Sequence, residues 1–444
     1  MSGSGRSDEL PRRLGLVDAT SIFVGIILGS GIFVAPAAVA AATSSPWTGA
    51  GLWILGGLIT VCGAFCYAEC GARLPRTGGF YVFYREAFGD SLAFVGGWVA
   101  LFVTYPASIA AIALIFAQYL GQAVPELRVP GPRWAATFVI VGAGCLNAIG
   151  ARTGPLAQRA LTGAKVAALA ALTLTALLAD GAPDSAGRGA GGGPAGGAWV
   201  GVLSALVALL WTYDGWSDVT LVSGEIRDPA RNLSRAVVLG TVILVLLYTT
   251  VQLAVGSLLE PGAAASSTHV VADAVQAGLG PQAGRVVALL VVVSTFGSIT
   301  GIVLAVSRLG FAMAKDGAFV RWFGAIHPRW RTPARSTGVL VASSIFYVHA
   351  GTFRNLLQYF SFSVWIFYGL TALAVLRLRA RGVGEDAPWK APGGAAVPAV
   401  VLATALAMTA GLLVQNPGAS LRGVAMLAAG FVVYGLWRRA SREG

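Results

Sequence analysis

Apolar residues in this chain come in long continuous stretches, and the charged residues gather in short segments between them. Twelve stretches read as membrane-crossing helices: residues 16–40, 51–71, 92–120, 133–150, 157–179, 199–222, 235–259, 284–310, 336–350, 354–377, 396–414 and 420–437. About 20 apolar residues, each advancing roughly 1.5 Å, suffice to cross the hydrocarbon core. The ninth is short. Two of the twelve are interrupted near their centres. In the first, Gly29-Ser30-Gly31 breaks the run with three residues that weaken a helix. In the sixth, Asp214-Gly215 does the same.

Inside lipid an unwound backbone survives only where protein covers it or where it lines a wet cavity. A mid-depth break leaves free N–H groups at one helix end and free C=O groups at the other, ready for a carboxylate and an ammonium. Close packing of a neighbouring helix on the small residues is the competing account. The two breaks lie five spans apart. An odd repeat length inverts the second copy, so the breaks are expected to meet at the midplane across a pseudo-two-fold axis. That pairing favours a transport site.

Composition agrees with the pattern. Of 444 residues 56% are hydrophobic and 11% charged, with mean hydropathy +0.73, which excludes a soluble domain. The net charge of +12 sits in short loops rather than on a folded basic face, so it does not indicate nucleic acid. With the N-terminus cytoplasmic, 24 of the 31 Lys and Arg fall inside, six fall outside and Lys165 lies within a span. That asymmetry sets both termini in the cytoplasm. The first run is too long for a signal-peptide core and is read as retained. Gly71 to Asp90 reads as a cytoplasmic loop and Asp180 to Ala198 as a flexible external linker. Val270 to Ala277 reads as a short amphipathic helix across the outer mouth. Cys62, Cys66 and Cys70 share one helical stripe and Cys145 lies in another span, which reads as packing rather than a disulfide framework or metal site.

Four stretches resemble the amino acid–polyamine–organocation superfamily, and within it the L-type amino acid transporters that serve as light subunits of heteromeric exchangers. They are Ile26 to Phe33, Trp211 to Trp216 with Glu225 to Leu233, Leu74 to Tyr81, and Ser307-Arg308 with Ala314 to Gly317. The resemblance covers roughly residues 15 to 380 and implies an all-α membrane protein of 12 transmembrane helices, a leucine-transporter-type fold. Its parts would be a cytoplasmic tail at 1–15, one five-helix repeat at 16–179, the linker at 180–198, an inverted repeat at 199–377, and helices 11 and 12 with a tail at 378–444. Helices 1 and 6 would be discontinuous. By the same likeness, the substrate carboxylate would rest on N–H groups around Gly29, Ser30 and Gly31. The α-ammonium would rest on carbonyls near Ile27 and Trp211. Trp211 matches the aromatic gate, and Asp214 and Ser217 match side-chain pocket positions. The implied activity is sodium-independent exchange of L-amino acids across the plasma membrane, mostly neutral ones, with cationic ones admitted through Asp214. Proton-coupled uptake of amino acids or polyamines is the alternative. Members that pair covalently with a heavy subunit carry a cysteine in the loop after helix 3. Gly121 to Arg133 has none, so no disulfide-linked heavy subunit is expected.

Charges inside the bilayer cost about 2.5–3.5 kcal/mol each and need a reason. Lys165 either snorkels to the interface or, as the resemblance implies, stands where sodium-coupled relatives bind a cation. Asp214 either faces a cationic side chain or caps the resumed helix. Asp218, one turn on, is expected in a wet outward location. Glu69, Glu225 and Arg308 read as ion pairs at span ends. The three histidines show no metal spacing, and no phosphate loop or cofactor motif is present, so an enzyme or an ATP-driven pump is not indicated. A channel would want a filter loop, and none is visible.

Overall fold

A computed structural model describes residues 12–43, 45–127, 130–149, 153–178, 198–351, 353–415 and 417–443. Most of the expected N-terminal tail, and the linker at 180–198 except Ala198, lie outside the described residues. Among the described residues the regular elements are helical, and the one extended pairing is an isolated bridge between Leu14 and Ile226.

The first apolar run is two helices. α1 (Leu16–Ile27) stops after 12 residues, a single 3-10 turn follows at Gly31–Phe33, and α2 (Ala35–Ala42) resumes. α3 (Pro46–Arg73) starts on a Ser45 side chain that accepts from Trp47 N. The expected loop at Gly71 to Asp90 is largely helical instead. α4 (Phe80–Phe88) forms there because Phe80, Tyr81, Phe83 and Tyr84 give it an apolar face to bury. α5 (Asp90–Val99) continues through a π-turn at Ala100–Thr104 into α6 (Tyr105–Ala123). α7 (Pro132–Ala148) and α8 (Thr153–Leu178) complete this half.

α9 (Ala198–Thr212) ends at the second break, and the chain goes on as a 3-10 helix over Asp218–Glu225 rather than as α-helix to 222. α10 (Pro229–Leu258), the short α11 (Pro261–Ser266) and α12 (Val270–Leu279) follow, the last being the expected amphipathic helix. Then come α13 (Pro281–Lys315), α14 (Ala334–Ala350), α15 (Phe353–Ala380), α16 (Ala396–Gln415) and α17 (Pro417–Glu443).

Among the described residues eight helices are long and apolar enough to cross a membrane: α3, the continuous Asp90–Ala123 unit, α8, α10, α13 and most of α15, α16 and α17. The other four expected spans are shorter. Breaks cut the first and sixth, while α7 and α14 have 17 residues each, roughly 26 Å at 1.5 Å per residue. α1 packs against α8, α10 and α13, so its short length is enclosed by protein. Trp53, Tyr213 and Tyr248 form an edge-packed aromatic cluster behind the two breaks. Cys66 and Cys70 are fully buried in the α3 packing face.

On the side where α1 begins, the chain is sealed by a buried ion pair. Arg308 on α13 donates from Nε to Glu225 Oε1 at 2.7 Å and from Nη2 to Oε2 at 3.3 Å. Beside it, Arg13 N and Leu14 N both donate to Glu225 O at 2.9 Å, and Arg227 N donates to Leu14 O at 2.8 Å. Removing one partner of a buried pair strands the other and costs about 3–5 kcal/mol. Glu225→Ala should therefore lower the thermal unfolding midpoint of the detergent-purified protein by several degrees. An unchanged midpoint would show that the pair does not hold this layer.

Candidate functional site

The two breaks meet. Gly31 lies so close to the end of α9 that a Cβ there would stand 2.7 Å from Thr212 Oγ1 and 2.9 Å from Thr212 Cα. Gly215 has φ +111°, a conformation side chains resist, and a Cβ would come within 2.8 Å of Ile26 Cγ2. Glycine is needed at both places for the segments to touch. Between them lies a cavity of about 40 Å³, room for roughly three waters. Gly29, Ser30 and Gly31 line it from the first break, and Trp211, Asp214 and Asp218 from the second.

The first break is held from its carbonyl side. Lys165 on α8 is 1% exposed, and its ammonium donates to Gly25 O at 2.8 Å, Leu28 O at 2.9 Å and Ser298 Oγ at 3.0 Å. A snorkelling lysine would reach water; this one stays inside. Gly297 on α13 makes room for the lysine stem, since a Cβ there would sit 2.6 Å from Lys165 Cε. Ser298 also donates to Gly25 O at 2.9 Å, and Ser294 donates to Leu28 O at 3.0 Å. The ammonium thus joins α1 to α8 and α13. On the other side of the break, the backbone bonds run from Gly29 N to Ile27 O, Phe33 N to Ser30 O and Val34 N to Gly31 O. None of these uses the N–H groups of Ser30, Gly31 or Ile32.

The carbonyls expected to receive an ammonium are partly engaged. Ile27 O accepts from Gly29 N at 2.7 Å and from Tyr248 Oη at 3.1 Å, which fills both its lone pairs. Trp211 O accepts from Asp214 N at 3.1 Å.

The second break carries carboxylates. Asp214 Oδ1 accepts from Tyr368 Oη of α15 at 2.5 Å. Asp218 Oδ1 accepts from Tyr105 Oη at 2.5 Å and from Ser217 Oγ at 2.8 Å. Asp218 is buried on the cavity wall, not in a wet outward position, because the 3-10 path after Ser217 turns it inward. Ser217 does not line the cavity; its hydroxyl is spent on Asp218. Trp211 is half-buried and borders both the main cavity and a smaller one of about 10 Å³ that reaches Phe360, Trp365 and Met408.

Tyr105 and Tyr368 were not singled out from the sequence, although a tyrosine hydroxyl within a span needs a partner. The proline of Tyr105-Pro106 inside an apolar run was a readable signal, because a proline disturbs the helical bonds before it, and the structure has a π-turn there. At the end of α3, Glu69 pairs with Arg73 at 2.9 Å and with Arg379 at 2.6 Å, and it also accepts from Ala391 N at 2.8 Å.

A chain with eight bilayer-length helices and a polar cavity where two interrupted helices meet is a multi-pass membrane protein of the transporter type. Residues 14–437 match the amino acid permease family, and the chain belongs to that family. It is similar to b(0,+)-type amino acid transporter 1 of Mus musculus, with 30% identity over 442 residues, covering 97% of this chain and 89% of the relative. It is similar also to the serine/threonine exchanger SteT of Bacillus subtilis (strain 168), with 28% identity over 438 residues and 96% of each chain covered. Asc-type amino acid transporter 1 of Mus musculus is 30% identical over 399 residues, covering 86% of this chain and 73% of the relative.

The lysine anchor yields a direct test. Lys165→Ala deprives the Gly25 and Leu28 carbonyls of their charged donor, a bond type worth about 1.5–3 kcal/mol. The variant should lose roughly tenfold or more of the initial transport rate and melt earlier than wild type. Lys165→Met, which keeps the stem but not the charge, should fall with it. Normal transport in both would reduce the lysine to a packing residue.

Proposed function

We propose that this protein is a sodium-independent exchanger of L-amino acids, resident in the plasma membrane and working by alternating access. The observation that carries the reading is the Lys165 ammonium bridging α1 and α13 next to the cavity. A fixed positive charge there does the structural work that a bound cation would otherwise do, so no cation gradient is required. The exchanger name carried by SteT and the transporter names of the other relatives support the same reading.

In this reading the chain has 12 spans, with both termini cytoplasmic, and two inverted five-helix repeats at 16–179 and 199–377 followed by two more helices. The meeting of the breaks in α1 and after α9 supports the inverted arrangement. The substrate carboxylate rests on the N–H groups of Ser30 and Gly31, Trp211 covers it as the gate, and Asp214 lies at the side-chain end. The ammonium goes to carbonyls around the break other than that of Ile27, whose acceptor capacity is taken. The protein acts as a carrier and not as an enzyme. The four cysteines lie on α3 and α7, so a disulfide-linked heavy subunit is not part of the reading.

Proton coupling is the second reading, and one observation favours it. The Lys165 ammonium is bonded to neutral acceptors alone, so its proton can leave without abandoning a paired carboxylate, and buried lysines shift readily. Radiolabel counterflow in proteoliposomes separates the two. Under exchange, replacing sodium by choline and collapsing the pH gradient should leave initial rates within about twofold. A several-fold fall in choline would refute sodium independence, and a fall only on losing the pH gradient would select the proton-coupled carrier.

Asp214 sets the expected selectivity. A guanidinium or ammonium on its carboxylate gains a charge-assisted bond of about 1.5–3 kcal/mol, or roughly ten- to hundred-fold in affinity. Asp214→Asn keeps the shape, so competition by arginine and lysine should weaken far more than competition by alanine or leucine. Equal weakening of both classes would mark Asp214 as a structural cap, and a wild-type protein blind to arginine and lysine would reject the cationic subsite.

A further inference from the structure

A second concavity lies far from the transport cavity. It is a groove of about 850 Å³ where the start of α1, the first turns of α10 and the segment before α16 come together. Its wall has two unlike ends. Arg231 and Arg235, one turn apart on α10, supply the polar end, and both are exposed. Neither guanidinium has an ion-pair or hydrogen-bond partner among the described residues. Leu16, Val238, Leu239 and Trp389 supply the apolar end, and among the described residues no carboxylate lines the groove. Val238 and Leu239 are 40% and 48% exposed, and they continue into Val242 and Leu246 along the outward face of a bilayer-length helix.

Two unneutralised guanidiniums set above an apolar wall that runs into the hydrocarbon-facing surface match a molecule with an anionic head and an apolar tail. A soluble anion would use only the arginines and leave the wall bare. A neutral lipid would leave the arginines unanswered. We propose that this groove binds an anionic phospholipid, its phosphate on Arg231 and Arg235 and an acyl chain along Leu16, Val238, Leu239 and Trp389. The lipid then touches α1 on the half that ends at the first break, so its occupancy bears on the element that Lys165 anchors. Charge attraction at a membrane surface and the bidentate fit of guanidinium to phosphate supply the head contact.

The test is native mass spectrometry of the full chain in detergent titrated with phosphatidylglycerol or phosphatidylcholine. Wild type should retain phosphatidylglycerol and not phosphatidylcholine. Arg231→Gln with Arg235→Gln should bind phosphatidylglycerol roughly 30-fold more weakly. Arg438→Gln with Arg439→Gln removes the same charge from α17 and should change binding less than twofold. Val238→Trp fills the groove while keeping both arginines and should also lose the lipid, which covers the case in which the double variant fails to fold. Equal binding by wild type and the groove variants would overturn the proposal. So would an equal loss in the α17 variant, which would mean surface charge alone. Full competition by glycerol phosphate would mean a free-anion site instead.

Discussion

An interrupted helix at mid-membrane depth exposes backbone groups that hydrocarbon cannot satisfy, and the ammonium of Lys165 is what answers the first interruption. Each buried carbonyl left without a donor costs several kcal/mol. Lys165, Ser294 and Ser298 supply donors to the carbonyls of Gly25 and Leu28 from two other helices. The carbonyl end of the break is therefore filled by the protein itself. The N–H end is not: the turn at Gly31–Phe33 uses none of the amides of Ser30, Gly31 and Ile32. The first break thus keeps donors in reserve while the carbonyls of Gly25, Ile27 and Leu28 are taken, which biases its side of the cavity toward a negative group.

The second break is built on a different principle. Gly215 provides the turn, and the acidic groups there are Asp214 and Asp218, each held by a tyrosine from another helix. Donors on one wall and carboxylates on the other give the small cavity a fixed polarity. A zwitterion with its carboxylate on the first break, and its positive groups toward the second, runs along that polarity. This is the electrostatic content of the proposed amino acid site, and it rests on the contact between Gly31 and Thr212 that brings the two walls together.

How much of this was readable follows from which interactions are local. Gly29-Ser30-Gly31 and Asp214-Gly215 announced the breaks because helix-weakening residues inside apolar runs act on their own backbone. Lys165 announced itself because a charge in a span demands an explanation. The partners were another matter. Tyr105 and Tyr368 reach their aspartates across 113 and 154 positions of sequence, and no periodicity encodes that distance. Asp218 was misplaced because α-helical spacing was assumed beyond the break, whereas the chain takes a 3-10 path with a different angular step. α4 was taken for a loop because the arginines and glycines flanking it, Arg73, Arg76, Gly78, Gly79 and Gly89, masked a buried aromatic face.

The seal and the cavity are also not independent parts. Glu225 and Asp218 are the two ends of one 3-10 helix, and Arg308 and Ser298 lie on one α-helix, α13, about 15 Å apart at 1.5 Å per residue. Any movement that parts Arg308 from Glu225 to open this side must shift one of those two elements. Such a shift is felt at Asp218 or at the serine that helps hold Leu28. Leu14, which precedes α1, is tied to the same layer through the bonds to Glu225 and Arg227. A ligand in the cavity changes the equilibrium of that layer only by binding its two arrangements unequally. The geometry supplies the means for that inequality: the cavity's two walls belong to the very elements whose far ends form the seal.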